Sequence, residues 1–411
     1  MSTIVVSPTN VATYPEGGGH FWVYMQYVSA LRKLGCDVLW LEHFRSSGNA
    51  DRDGFMQSTF FERMGRFGMD GRAVLYTWEE SARPADIGRG ASAARPAYIG
   101  LGASAVEDIL ARADLLLNFH YGMDPRLLER FRRTVLIDID PGLLQHWMSM
   151  GQVVVPRHDL YFTTGETVGT PDAAFPDCGL PWKRIRPCVD LDLWPVMPAP
   201  EGAPFTTVSS WMGGVDGEWI SDAQGGYYDN NKRVSFLRFL ELPRLTGQPL
   251  ELALCLDERP ESEARARRNA YGDYLGDPAD RKRLEENGWR VRRAHEVAGS
   301  PESYQKYIQG SRGEWSAAKP SCMKFRNAWI SDRTLCYLAT GRPAVVQDTG
   351  PSAYLPNGEG LFRFSTLDEA RAAFAAIDAD YERHSRAARE MAEAWFDSSR
   401  IVAGILNEAL D

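Results

Sequence analysis

The chain has 411 residues, of which 44% are hydrophobic, and a formal net charge of −9 at pH 7. This length favours two domains of roughly 200 residues each. The acidic charge argues against a protein that binds nucleic acid through a basic surface. No apolar run approaches the ~18 residues that a membrane span needs, and the N-terminus predicts a first strand rather than a signal peptide. We therefore expect a cytoplasmic protein.

The six cysteines are scattered along the chain, with neither a C-x-x-C pair nor a His/Cys cluster. This distribution is typical of reduced thiols in a cytosolic protein. It provides no ligand pattern for a structural zinc site. We therefore expect free cysteines and no bound metal.

The first half of the chain alternates short apolar runs with stretches of helical periodicity, a pattern that favours a mostly parallel α/β sheet. The polar, glycine-rich segment 45–100 predicts only a strand at 73–76 and a long loop around 81–97. The other predicted strands are 3–7, 37–42, 113–119, 134–139 and 159–163, and the predicted helices are 20–34, 106–112 and 126–132.

The composition changes at 170–200, where seven prolines predict an extended connector between domains. A second alternation of strands and helices follows it. The predicted strands are 205–210, 250–256, 289–292, 313–316 and 343–347, and the predicted helices are 232–240, 280–287, 301–308, 326–340, 367–377 and 380–396.

The sequence thus predicts an α/β protein of two Rossmann-like domains that face each other across a cleft. The predicted domains are residues 1–180 and 201–384, joined by a linker at 181–200, and a C-terminal helix of about 385–411 packs back on the first domain. Because ligands of open α/β sheets bind outside the carboxyl ends of the strands, we expect the ligand in this cleft.

Three segments resemble those of the nucleotide-sugar-dependent GT-B glycosyltransferases, families 1 and 4 among them. They are GGGHFWVYMQYVSALRKLGCDVLWLE, CGLPWKRIRPCVDLDLWP and SDRTLCYLATGRPAVVQDTG. The resemblance spans nearly the whole chain. It implies that the second domain binds a nucleotide-sugar, that the first binds the acceptor, and that no metal or other cofactor is needed. The second glutamate of the E-x7-E pattern of retaining members falls on Cys336, so the sequence leaves inversion and retention both open.

Without a metal, backbone N–H groups and fixed cations must stabilise the leaving diphosphate. The candidate cations are Lys232 and Arg233, at the start of a predicted helix, and Lys319, in an AAKP loop. Arg333 lies inside a predicted helix directly after Asp332. This pair could form a structural ion pair or contact the donor.

Loops at the carboxyl ends of the second domain's strands supply further donor-binding candidates. Thr349 and the Gly350 amide could contact a phosphate or a sugar hydroxyl, and Asp348 could bind the sugar's hydroxyls. Glu314 could bind the sugar or the ribose. The alternatives are a plain turn at 348–350 and an ordinary loop carboxylate at Glu314.

In the first domain, Gly17, Gly18 and Gly19 lie between the first strand and the first helix, where the lack of a Cβ allows close approach to a ligand. They do not form the G-x-G-x-x-G fingerprint of dinucleotide sites. His20 stands where inverting members of the family often hold a general base, and a neutral imidazole could accept the acceptor's proton. Alternatively, His20 caps the helix or binds the acceptor.

Three more side chains follow predicted strands and face the expected cleft. His120 matches the region in which retaining relatives carry a histidine that touches the donor sugar, although it could equally be a core histidine. Asp140 and Glu166 could each bind the acceptor or act as the base.

We therefore predict a metal-independent glycosyltransferase that moves a sugar from a nucleoside-diphosphate-sugar to a small-molecule or glycan acceptor. It would bind no nucleic acid and would be a monomer or a homodimer. A GT-B-like nucleotide-sugar epimerase, a pseudo-glycosyltransferase, a non-catalytic nucleotide-binding module and a dinucleotide-dependent oxidoreductase remain as alternatives.

Overall fold

The structure is a computed structural model that describes residues 1–78, 96–213, 218–221, 226–256 and 278–410. Its first part contains β1 (Thr3–Ser7), α1 (Gly18–Lys33), β2 (Asp37–His43), α2 (Ala50–Arg66), β3 (Ala73–Thr77), β4 (Ala97–Ile99), α3 (Ala103–Arg112), β5 (Leu115–Asn118), α4 (Pro125–Leu128), β6 (Thr134–Asp138), α5 (Leu143–Ser149), β7 (Leu160–Thr163) and β8 (Trp182–Arg184).

These strands form a sheet of order β4-β3-β2-β1-β5-β6-β7-β8, in which only β4 is antiparallel to its neighbour. Every residue of β1, β5 and β6 is buried. This explains their nearly continuous apolar sequences, because the strands of a parallel sheet are covered on both faces. The apolar side of α1 packs on one face of the sheet and α3 on the other.

The second part contains β9 (Phe205–Ser209), β10 (Trp219–Ser221), β11 (Tyr227–Asp229), α6 (Lys232–Leu237), α7 (Leu242–Leu245), β12 (Leu250–Leu254), α8 (Pro278–Glu286), β13 (Arg290–Arg293), α9 (Ala294–Ala298), α10 (Pro301–Gln309), β14 (Gly313–Ser316), α11 (Pro320–Phe325), α12 (Asp332–Ala339), β15 (Ala344–Gln347), β16 (Leu361–Phe364), α13 (Leu367–Ala379), α14 (Tyr381–Trp395) and α15 (Ser398–Leu410). Six strands form an all-parallel sheet of order β13-β12-β9-β14-β15-β16, and β10 and β11 form a separate antiparallel hairpin.

The two sheets are held together by helices that pack across the boundary. The Trp22 indole of α1 donates to the Pro301 carbonyl of α10 at 2.9 Å. At the other end of the chain, α15 packs against α1, and the Arg133 guanidinium donates to the Ala409 carbonyl at 3.1 Å. One apolar cluster runs without interruption from α1 through α10 and α12 to α15. The predicted boundaries at 180 and 200 remain a prediction, while β8 extends the first sheet to residue 184.

Two differences from the sequence prediction have a clear physical reason. The helix predicted at 326–340 begins only at Asp332, because Arg326 adopts a left-handed conformation (φ +53°) that ends α11. The following residues are used for contacts to the first sheet: the Asn327 amide donates to the Pro141 carbonyl at 2.7 Å, and the Arg326 carbonyl accepts from the Thr167 hydroxyl at 3.0 Å. A helix over 326–331 could not make these contacts.

The second difference is α2, which the sequence did not predict. Its buried face consists of only Met56, Phe60 and Met64, in an otherwise polar segment, so the apolar periodicity is faint. The sequence prediction also lacked α5, β8, β16 and the β10–β11 hairpin, and its helix at 126–132 is the shorter α4. The loop predicted around 81–97 lies almost entirely outside the described residues.

All six cysteines are free. Among the described helices, none combines the length and the apolar character needed to cross a membrane.

Candidate active site

Each sheet has a point at which the chain reverses the direction in which it adds strands. In the first sheet this point lies between β1 and β5, and in the second it lies between β9 and β14. Crevices that bind ligands in open α/β sheets form at such points. His20 follows β1, Lys319 follows β14, and Lys232 follows β9 after the hairpin.

The two crevices face each other, as the electrostatic interactions between charged groups of the two sheets show. Asp140, in the loop after β6 of the first sheet, contributes electrostatically to the pKa values of His20, Lys319 and Asp332. Five predicted site residues therefore lie around one cleft once Lys232, a neighbour of Lys319, is included. They came from four separate stretches of sequence.

Three cations form the second sheet's side of the cleft: Lys232, Lys319 and Arg333. Burial, together with the charges of Arg333 and Lys319, lowers the pKa of Lys232 to about 7. Burial also opposes the charge of Lys319, but Glu218 and Asp140 outweigh it and raise the pKa of Lys319. The Lys319 ammonium forms an ion pair with Glu218 at 2.6 Å. Three cations in a partly desolvated cleft offer charged hydrogen-bond donors to an oxyanion.

Arg333 is held rigidly by a buried carboxylate. Its Nε donates to Glu314 Oε1 at 2.8 Å, and its Nη1 donates to the Val208 carbonyl at 2.9 Å. Glu314 is fully buried, and its Oε2 has no hydrogen-bond partner among the described residues. Burial lowers the pKa of Arg333, but the charge of Glu314 outweighs burial, so the pKa of Arg333 is raised. The acid paired with Arg333 is thus Glu314, not the adjacent Asp332.

A network missed by the sequence reasoning positions Glu218. Its Oε1 accepts from the Asn230 amide at 2.6 Å, and its backbone N–H donates to Asn231 Oδ1 at 3.0 Å. Asn230 Oδ1 in turn accepts from the backbone N–H of Ser321, in α11, at 2.7 Å. The DNNKR sequence before α6 was a visible signal for these two asparagines, whereas nothing in the sequence paired Glu218 with Lys319.

His20 presents a basic nitrogen to the cleft. Its Nε2 lies 2.7 Å from the Thr9 carbonyl, which can only accept, so Nε2 carries the proton and Nδ1 keeps the lone pair of the neutral ring. Burial lowers the pKa of His20 below 6.5, and the Thr9 carbonyl and Asp140 only partly offset this. The imidazole is therefore neutral at pH 7, and its ring packs edge-on against Tyr24 at 5.3 Å.

Asp140 is exposed, and its carboxylate has no hydrogen-bond partner among the described residues. Its backbone N–H donates to Asp138 Oδ1 at 3.0 Å. Asp138 is buried and accepts from Gln145 and Thr163, both at 2.8 Å, which fixes the turn that carries Asp140. On the opposite side, burial and the charge of Asp140 raise the pKa of Asp332 to about 7.

Several predicted site residues are engaged elsewhere. The Arg233 guanidinium forms a two-point ion pair with Asp280, at 2.5 and 2.9 Å. His120 stacks on His43 with ring centroids 6.0 Å apart, and burial lowers the pKa of His120 to about 4. The Glu166 carboxylate accepts from Ser352. This geometry does not add support to their predicted ligand contacts.

The loop after β15 is also occupied by internal contacts. Asp348 forms an ion pair with Arg363 at 2.6 Å, and the Thr349 hydroxyl donates to the Trp329 carbonyl at 2.7 Å. Gly350 has a φ of +132°, and a Cβ there would lie 2.8 Å from the backbone of Arg326. The glycine is therefore required by the turn and by close backbone packing.

The glycine triplet has a packing reason as well. A Cβ on Gly18 would lie 2.2 Å from the Ser300 carbonyl, and a Cβ on Gly19 would lie 2.6 Å from the Tyr304 ring. A Cβ on Gly17 would lie 2.3 Å from the Tyr14 ring. Gly18 and Gly19 thus allow α1 to approach α10 and the residues just before it closely. Their predicted contact with a ligand stays a prediction.

Within the described part of the chain, no group of three or more His, Cys, Asp or Glu side chains is arranged to hold a metal ion. Lys232, Lys319 and Arg333 could instead supply positive charge to an anionic ligand. Metal independence remains a prediction.

No protein-family model and no curated protein matches this sequence. Solved structures are similar over the full length. An α-glucosyltransferase in complex with UDP and a 13-mer DNA is 11% identical, with a TM-score of 0.58 and coverage of 100% of both chains. Anabaena HepE in complex with UDP-glucose is 10% identical, with a TM-score of 0.54 and coverage of 99% of this chain and 100% of that chain.

A glycosyltransferase from Rickettsia africae is 11% identical, with a TM-score of 0.52 and coverage of 99% and 97%. The chain has the GT-B fold. The predicted fold class, two Rossmann-like sheets facing across a cleft, is therefore confirmed. In a GT-B arrangement the cations of the second sheet and the His20–Asp140 pair of the first occupy opposite walls of one cleft.

Proposed function

We propose that this GT-B protein is a glycosyltransferase that moves a sugar from a nucleoside-diphosphate-sugar to an acceptor hydroxyl. The observation that carries the proposal is the cluster of Lys232, Lys319 and Arg333 opposite His20 and Asp140. The binding of UDP or UDP-glucose by similar structures supports it.

The cation cluster would bind the diphosphate and stabilise the charge that develops on it. Arg333 is preorganised by Glu314 and Val208, so its guanidinium need not reorganise during the reaction. Lys319 would exchange Glu218 for a phosphate oxygen. A bound diphosphate would raise the pKa of Lys232 above its value of about 7 and keep its ammonium protonated.

The opposite wall would activate the acceptor. As the acceptor oxygen bonds to the anomeric carbon, the bond from that carbon to the phosphate oxygen breaks and the electron pair leaves with the nucleoside diphosphate. The hydroxyl proton passes to a base in the first sheet. His20 Nδ1 is suited to this role because the ring is neutral and its tautomer is fixed. The exposed carboxylate of Asp140 would stabilise the imidazolium that forms.

The acceptor is proposed to be a small molecule or a glycan. A net charge of −9 opposes association with a polyanion such as DNA, because nucleic-acid affinity comes mainly from neutralising phosphates with basic side chains. The proposed reaction needs no metal, since fixed cations face the diphosphate.

Product analysis tests this proposal. The protein is incubated with UDP-glucose and other nucleotide-sugars, with and without a panel of sugar acceptors. Transfer releases free nucleoside diphosphate and a glycosylated acceptor. An altered sugar on an intact donor would instead identify an epimerase, and an unchanged donor that still binds would identify a binding module.

A further inference from the structure

A second cavity lies outside the cleft, with a volume of about 1030 Å³. Its walls come from three parts of the fold: the edge strand β8 and the loop after β7, the loop after β15, and the helices α14 and α15. None of the cleft residues lines it, namely His20, Asp140, Lys232, Lys319, Asp332 and Arg333. We call this cavity the rear groove.

The rear groove contains an arginine that lies beside two aromatic rings. The Arg186 guanidinium carbon lies 4.6 Å from the centroid of Tyr354 and 4.5 Å from that of Trp395. Cation–π attraction to both rings holds the guanidinium in the groove. Arg186 forms neither an ion pair nor a hydrogen bond with the described residues.

Two further polar groups of the rear groove lack partners. Arg184, the last residue of β8, lines the rear groove together with Arg186. Arg184 likewise has no ion pair or hydrogen bond among the described residues. The Tyr354 hydroxyl is buried, and no described residue bonds to it. A buried unpaired hydroxyl is costly unless a ligand or water completes it.

Among the described residues, no acid of the rear groove forms an ion pair with Arg184 or Arg186. Glu166 accepts from Ser352 and Ala353, Asp397 accepts from Ser399 at 2.9 Å and pairs with Arg400 at 3.5 Å, and Glu408 pairs with Lys183. Asp172 is exposed at the rim. Three of the four carboxylates are therefore already engaged, while two guanidiniums remain unpaired.

We propose that the rear groove is a second ligand site, which binds a small molecule through an oxyanion held by Arg184 and Arg186. The planar donors of Arg186 match the oxygen pair of a phosphate monoester or a carboxylate. Because the walls come from both sheets and the last helices, the ligand would touch all three parts of the fold.

Calorimetric titration with two probes, glycerol 3-phosphate and citrate, tests this site. We expect at least one probe to bind wild type, with affinity reduced at least tenfold by Arg186→Gln and at least threefold by Arg184→Gln. Arg400→Gln is the matched control, since Arg400 lies in the same groove but already pairs with Asp397. It should change affinity less than twofold. Preference for glycerol 3-phosphate or for citrate distinguishes a phosphorylated from a carboxylated ligand.

A cleft variant distinguishes binding in the rear groove from binding in the cleft. In Lys319→Met, which removes a cation of the cleft, the probe should bind as in wild type. The proposal would be overturned if Lys319→Met lost binding of the probe, or if Arg184→Gln and Arg186→Gln both bound it as wild type does. Failure of both probes to bind wild type would also overturn it. If Arg186→Gln does not fold, Arg184→Gln decides alone, because Arg184 is exposed and without partners. None of these outcomes depends on glycosyl transfer.

Discussion

The loops after β14 and β15 look alike in sequence, since each follows a buried strand of the second sheet and carries polar side chains. In the structure they differ. Lys319, after β14, lies in the cleft with Lys232 and Arg333. Asp348 and Thr349, after β15, are bound to Arg363 and to the Trp329 carbonyl.

The difference comes from strand order. β14 borders β9, where the direction of strand addition reverses, whereas β15 lies one strand further out, beside β16. The outer loop is close to Arg363 of β16, which pairs with its carboxylate. A position at the carboxyl end of a strand is therefore insufficient for a ligand contact, and adjacency to the reversal point decides it.

The largest expected effect is that of Lys319→Met. The variant loses a fixed cation that stabilises the charge developing in the transition state. We therefore expect kcat/KM to fall roughly hundredfold and nucleoside diphosphate binding to weaken. Lys324→Met is a matched control, because Lys324 lies on the neighbouring α11 but stacks on Tyr228 at 4.2 Å. Equal kinetics for the two variants would remove Lys319 from the site.

His20→Gln should lower kcat roughly hundredfold with donor affinity unchanged, since it removes a proton acceptor and not a diphosphate contact. The pKa of His20 lies below 6.5, so the neutral base is present at pH 7 and is lost as pH falls through that pKa. Wild-type kcat should thus decline below pH 6.5. If kcat of His20→Gln declined at low pH as that of wild type does, a residue other than His20 would be the base.

The strands and the two-sheet architecture were largely predictable, because a buried parallel strand such as β1 has a nearly continuous apolar run that coincides with its predicted bounds. The cations Lys232 and Lys319 were also found, from their positions beside glycine- and asparagine-rich or proline-containing loops. Strand order was not predictable, since it depends on long-range pairing. For that reason the loops after β14 and β15 received the same prediction.

Ion pairs between residues distant in sequence were also not predictable. The Glu314–Arg333 and Glu218–Lys319 pairs join residues 19 and 101 positions apart, and no local pattern encodes them. The glycines at 17–19 show the same limit. Their sequence indicated a ligand loop, whereas the neighbours that forbid a side chain, Ser300 and Tyr304, lie almost 300 residues away.

A smaller effect of opposite sign is expected from Glu218→Gln. The Glu218 carboxylate pairs with Lys319 and would compete with the ligand, so neutralising it should tighten binding of a nucleoside diphosphate by roughly threefold to tenfold. Calorimetry measures this directly. Weaker binding in Glu218→Gln would show that Glu218 positions Lys319 and does not compete with the ligand.

The smallest functional effect is expected from Asp348→Asn. It should change kcat/KM less than twofold and lower the free energy of unfolding by about 1 kcal/mol, because the largely buried Arg363 loses its charged partner. Chemical denaturation and steady-state kinetics check the two parts. A tenfold loss of kcat/KM with normal stability would show that the loop after β15 contributes to the active site.

The central claim is that fixed cations alone hold the diphosphate. Titration of wild type with UDP, and with the guanosine and deoxythymidine diphosphates, in EDTA and then in magnesium tests it most directly. We predict that at least one nucleoside diphosphate binds with the same affinity in both buffers, and that Lys319→Met weakens it at least tenfold. Binding that requires magnesium, or no binding by any of the three, would contradict the account.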